Sequence, residues 1–164
     1  MRLGLNASPI ICLAKAGLLN EVLSMAQEVV VPQAVAGEIL AVDDDRDAAV
    51  AWIRTERAQR TLRDVGAPAF FVLAWDLGAG ESAVLTAVTG SPGSVAVLDD
   101  LAARRCALAL GIDVTGTLGL LLMAKRTGAI VSLRQALVAV TDAGLFVSPR
   151  HVGAILAGGG ESDE

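Results

Sequence analysis

The chain has 164 residues, 54% of them hydrophobic and 3% aromatic, with one His, two Cys, no Tyr and a formal net charge of −5. That length fits one domain with a substantial core. The shortage of rings argues against a base-stacking platform, the acidic balance against a general phosphate-coating protein, and the lone His against a His-rich metal site. A nuclease stays open, because a metal ion reverses the local field of an acidic site.

The run RLGL reads as a first strand. Asn6 follows, and Ser8 before Pro9 reads as a helix start, so one or two helices are predicted over about residues 8–26. EVVV is a second strand, and Pro32 opens the helix after it. Residues 47–62 read as a charged helix around Trp52 and Ile53, and AFFVLAW as a third, less regular strand. GAGESAVLTAV is a helix, SVAVLDD a fourth strand, and LAARRCALAL the helix after it. IDVTG is a fifth strand, followed by the helix TLGLLLMAKR; helices over 132–142 and 149–157 flank GLFVS. This alternation predicts an α/β/α sandwich with a parallel sheet covered on both faces. Residues 1–157 are expected to form the domain and 158–164 a disordered polar tail. Cys12 and Cys106 fall in apolar helical segments and are expected to be reduced and buried. No basic-then-apolar leader opens the chain and its longest apolar run is too short for a bilayer, so a soluble cytoplasmic protein is expected.

In such a sheet, ligands bind beyond the carboxyl ends of the strands, where the strand order switches. Asn6 ends the first strand and Asp99 and Asp100 end the fourth, so these strands are candidate neighbours. Glu38 shares a helical stripe with Val35, Ile39 and Val42, and Glu81 one with Val84, Leu85 and Val88. Acids on apolar stripes cost free energy unless they are paired or bound. Each residue also has a plain reading. Asp99 or Asp100 suits an N-cap, Glu81 a helix dipole, Glu38 the edge of its stripe, and Asn6 a turn. Together the four point to one site. Two carboxylates ~5 Å apart repel by about 3 kcal/mol at an effective dielectric near 20, and Mg²⁺ or Mn²⁺ is the natural occupant of an all-oxygen cluster.

The segments LNASPIICLAKAGLL, VPQAVAGEI, GAGESAVL, VLDDLAARRCALALGIDVTGTLGLLLMAKRTG and LVAVTDAGLFVS resemble the PIN-domain family, in particular a branch once listed as a domain of unknown function and grouped with VapC-like toxins. The resemblance implies a central five-stranded parallel sheet and a metal-dependent ribonuclease, the toxin of a type II toxin–antitoxin pair. By motif, Glu38, Glu81 and Asp100 fall on the family's catalytic and metal-binding acids, with Asp99 assisting. Asn6 stands where the family usually carries Asp. Ser8 and Thr117 correspond to hydroxyls behind the ligands, and Arg104 and Arg105 are candidates for substrate phosphates. The implied partners are RNA, a cognate antitoxin and a second copy of the chain. TLGLLLMAKR, apolar on more than one side, suggests a subunit contact or a centrally buried helix.

The residues leave two rival readings. One is a PIN-like binding or regulatory module with a weakened site, favoured by Asn6. The other, a phospho-acceptor signalling domain, fits poorly, because the acid pair follows the fourth strand and VTGTLG after the fifth has no Lys. A dinucleotide fold lacks its glycine fingerprint after the first strand.

Overall fold

Short β-branched and apolar runs bounded by turns make the strands, and helices return the chain between them. The structure, a computed structural model, describes residues 1–42 and 44–161. Five parallel strands, β1 (Arg2–Leu5), β2 (Glu28–Pro32), β3 (Leu62–Arg63), β4 (Ser94–Val97) and β5 (Asp113–Thr115), form one sheet in the order β3-β2-β1-β4-β5. The order reverses between β1 and β4, which pair from Arg2 opposite Ser94 to Leu5 opposite Val97.

The helices are α1 (Ala7–Lys15), α2 (Leu19–Leu23), α3 (Gln33–Leu40), α4 (Ala48–Ile53), α5 (Glu56–Gln59), α6 (Phe70–Leu73), α7 (Ala79–Val88), α8 (Leu101–Ala109), α9 (Thr117–Arg126), α10 (Leu133–Asp142) and α11 (Pro149–Gly158). They cover both faces of the sheet. Helices α7 and α8 pack together on one face, and α1 and α2 meet α9 on the other. One apolar cluster joins the layers through Leu3, Leu5, Ile10, Leu85, Val97 and Leu121. Gly4 sets the depth of α7. A Cβ there would lie 2.6 Å from Val88 Cγ1, so the absence of a side chain lets the helix rest directly on β1.

Several local expectations need correction. Helix α1 starts earlier than the Ser-Pro signal suggests: Asn6 is its N-cap position, and Ser8 and Pro9 lie within its first turn. Pro is tolerated there because those N–H groups have no intrahelical acceptor. The single helix expected over 47–62 is two, because Thr55 turns the chain and its side chain accepts from Ala58 N as a new cap. AFFVLAW is no strand. Its centre is the single helical turn α6, with Val72 buried while Phe70 and Leu73 are exposed. A short apolar run does not separate strand from helix by pattern, and the third strand is instead the two-residue Leu62–Arg63, paired with Val31 and Pro32. Helix α9 contacts α1, α2, α10 and α11 within the chain, which buries Leu120, Leu121 and Ala124 and leaves Leu118, Leu122 and Met123 half-buried. Both cysteines are free and buried.

Of the expected tail, residues 158–161 are described and 162–164 lie outside the described residues. Helix α11 runs to Gly158, and Glu161 then turns back onto α10. Its carboxylate accepts from Leu133 N at 2.8 Å and Arg134 N at 2.9 Å, and pairs with Lys125 Nζ at 2.8 Å. The Lys125 hydrogen bond, followed by the two backbone donors, lowers the Glu161 pKa to about 2 from its ordinary 4.5. A depressed carboxyl pKa adds stability that is fully present above the unfolded value and is lost as pH falls through the folded one. Glu161→Gln is therefore expected to lower the melting temperature at neutral pH. It should also flatten the decline of stability between pH 4.5 and 2, as followed by thermal melts across that range.

Candidate metal centre

Asn6 leaves the carboxyl end of β1 at the switch point, where its backbone N–H donates to the Val97 carbonyl at 3.2 Å. Its side chain is 3% exposed and makes no capping bond to α1. The amide faces α7 instead: Nδ2 donates to Glu81 Oε1 at 3.0 Å. Its Oδ1 is buried without a hydrogen-bond partner.

Glu38 reaches the same place from α3. It is exposed, so its position is the rim of the apolar stripe rather than its centre. Val42 lies beyond the end of α3 and is exposed, which shortens the stripe that placed Glu38 inside. Glu38 Oε1 nevertheless accepts from Gly80 N at 2.9 Å, at the N-terminal turn of α7, where the helix dipole favours an anion. Gly80 is the residue that pattern reading missed. A Cβ on it would lie 2.7 and 2.8 Å from the two Glu38 oxygens and 2.8 Å from Asn6 Oδ1. The missing side chain leaves a hollow onto which these oxygens converge. The signal was present as the second glycine of GAGE, a site of close approach to backbone.

The acid pair after β4 divides its work. Asp99 turns into the cleft edge, where its carboxylate accepts from Thr117 N and Thr117 Oγ1, each at 2.7 Å, and from Ser8 Oγ at 3.3 Å. Ser8 and Thr117 thus hold the same acid from α1 and from α9. Asp100 is the N-cap of α8, accepting from Ala103 N at 2.8 Å, and it is exposed. Arg104 and Arg105 are exposed on α8. Arg104 Nη1 lies 3.2 Å from the point that a Cβ on Gly116 would take, and Asp99 Oδ1 lies 2.9 Å from the same point. Behind this wall, Cys12 has its thiol pKa pushed up to about 11 by burial, with the negative charge of Asp99 adding to the effect and Lys15 opposing it.

The five candidate ligands therefore do not form a single knot. Asn6, Glu38 and Glu81 come together around Gly80, Asp99 stands on the wall built with Ser8 and Thr117, and Asp100 caps a helix. Among the described residues, no three Asp, Glu, His or Cys side chains are grouped to hold a metal ion by themselves. The donor set still suits a hard cation. It combines a carboxylate with a buried amide oxygen that lacks a partner, both at the carboxyl edge of the sheet.

A family model described as a PIN domain matches residues 5–161 of the chain. The chain belongs to the PIN-domain family. PIN domains are nucleases that generally use divalent metal ions, and the all-parallel five-stranded sheet with helices on both faces is the architecture expected of one. No curated protein and no solved structure matches the chain significantly. Among the described residues, no helix is long and apolar enough to cross a membrane.

Gly80 gives the PIN site a direct test. Gly80→Ala is expected to lower the melting temperature: the preference for Ala over Gly in a helix, about 1 kcal/mol, is outweighed by a methyl 2.8 Å from the buried Asn6 Oδ1, which cannot swing aside as the exposed Glu38 can. It should also displace the exposed Glu38 carboxylate and weaken Mn²⁺ binding. Thermal melts and calorimetric titration of the same preparation check both halves.

Proposed function

We propose that the protein is a metal-dependent ribonuclease that hydrolyses RNA phosphodiester bonds. On the resemblance of its motifs to VapC-like proteins, we propose that it serves as the toxin of a type II pair, restrained by a cognate antitoxin and working as a homodimer. The observation that carries the catalytic reading is the buried, unpartnered Asn6 Oδ1, which meets the Glu38 carboxylate over Gly80 at the sheet switch point.

In this reading Asn6 and Glu38 would hold the ion, and Mg²⁺ or Mn²⁺ bound there would supply Lewis-acid stabilisation of the phosphodiester and an acidified water. The chain's own residues shape the rest. Gly80 keeps the hollow open, and its N–H fixes Glu38. Thr117 and Ser8 fix Asp99 as the opposite acidic wall. Arg104, exposed beside Asp99, offers a guanidinium to a substrate phosphate.

A second reading, a PIN-like module that binds without cutting, is favoured by one observation. With Asn at position 6 the cleft has one carboxylate fewer, and no three acids are grouped among the described residues. Cleavage separates the two. Purified protein is expected to cut a mixed RNA pool with Mn²⁺ and to stop when a chelator is added. Glu38→Gln keeps an acceptor for Gly80 N–H but removes the charge, and Asp99→Asn removes the charge of the opposite wall. Each is expected to lower the cleavage rate by roughly tenfold or more. Asp100→Asn should retain most activity, while Asp100→Ala lowers stability by about 1 kcal/mol as a lost cap. Cleavage that survives both Glu38→Gln and Asp99→Asn would place the activity elsewhere.

A further inference from the structure

Asn6 occupies an N-cap position, and Asn is among the residues best suited to capping. Its side chain nevertheless leaves α1 uncapped and donates through Nδ2 to Glu81 Oε1 at 3.0 Å. That bond decides which way the amide faces. Turned over, Oδ1 would meet a Glu81 oxygen with no proton between them, two acceptors in contact in a part-buried place, while Nδ2 would turn toward Glu38, which is exposed and already has the Gly80 N–H. With the amide held this way, Oδ1 is driven to the other side, toward Glu38 and the hollow at Gly80, where it has no partner. An unpartnered buried acceptor is costly in a folded protein, and the cost is relieved when a donor or a cation fills the place.

We infer that Glu81 is a positioning residue: it fixes the Asn6 amide so that Oδ1, paired with Glu38, is presented as a neutral oxygen ligand to the divalent ion, and Glu81 itself stays outside the ligand set. The inference rests on the metal-dependent reading above. It gives the exchange of Asp for Asn at position 6 a physical consequence. A carboxylate has no N–H to give Glu81, so the acid of α7 can act as an orienting group only while position 6 is an amide.

The test uses the full chain, with Mn²⁺ affinity measured by calorimetric titration and melting without metal as a second readout. The reciprocal swap Asn6→Asp with Glu81→Gln keeps the hydrogen bond between the two positions, reverses its direction and leaves the charge of the pair unchanged. It moves that charge to the side facing Glu38. Mn²⁺ binding is expected to tighten by roughly tenfold or more relative to the natural chain. The metal-free melting temperature, lowered in Asn6→Asp alone, should recover in the swap. A swap that weakens Mn²⁺ binding overturns the inference.

The second comparison stands if the swap does not fold. Glu81→Gln retains an acceptor for Nδ2 and Glu81→Ala does not, while both remove the same charge. Glu81→Gln is expected to bind Mn²⁺ roughly tenfold more tightly than Glu81→Ala, and this difference should vanish when both are made on Asn6→Ala. A difference that persists there means that position 81 meets the ion directly, and the inference fails while the metal reading stands. No Mn²⁺ binding by any form, the natural chain included, overturns the metal reading and this inference together.

Discussion

The site hangs on the last rung between β1 and β4. Leu5 pairs with Val97, and one residue further on the Asn6 N–H donates to the Val97 carbonyl. That bond holds the backbone of Asn6 at the point where the strand order reverses, and the crevice of an open parallel sheet lies there. Helix α7 is brought against the same strand by the bare backbone of Gly4, which lets Val88 approach. The two contacts sit at opposite ends of α7, Val88 low on the sheet and Glu81 at the rim. Together they bring the Glu81 carboxylate within hydrogen-bond distance of the Asn6 amide.

Capping shows how far Asn6 is given over to the cleft. Asp47, Thr55, Asp100 and Ser132 each use a side-chain oxygen to accept from the first turn of their helices. Asn6 stands in the equivalent place and does not, although a cap is worth about 1 kcal/mol. The same contrast separates the two acids after β4. Asp100 serves its own helix, while Asp99 accepts from the first N–H of α9 and from two hydroxyls, one on α1 and one on α9. Adjacent residues on an extended segment point to opposite sides. One of the pair therefore faces the cleft and its neighbour the following helix.

The architecture was legible wherever burial sets a period. The apolar runs of β1, β2 and β4, and the stripes of α7 and α10, follow from alternation with core positions that recur along the chain. The misreadings lie where a local signal is short or shared. Two residues suffice for β3 because Val31 and Pro32 supply the edge to pair with, and no pattern exists in a pair. AFFVLAW has the composition of a strand, yet it lies outside the sheet with Phe70 and Leu73 in solvent. In the site, residue types and motif spacing singled out Asn6, Glu38, Glu81 and the Asp99–Asp100 pair. They did not separate Asp99 from Asp100, since that depends on which side of the chain each projects. Gly80 carries no chemistry of its own, and its contribution shows only when the atoms around its missing Cβ are known.

The hydrogen bonds of the cleft explain how this chain tolerates an acidic edge without a Lys or Arg dedicated to it. Every acid facing the cleft already has a donor from the protein. Glu81 has Asn6 Nδ2, Glu38 has the Gly80 N–H, and Asp99 has Thr117 and Ser8. An Asp at position 6 would remove one of these donors and add a charge, with a repulsion of about 3 kcal/mol for carboxylates ~5 Å apart at an effective dielectric near 20. The amide reverses that balance, since it supplies the donor and adds no charge. What it leaves over is Oδ1, the one buried oxygen of the cleft without a partner. Among the described residues, the cleft is thus supplied with donors except at this atom, which lies beside an exposed carboxylate with which a cation can be shared.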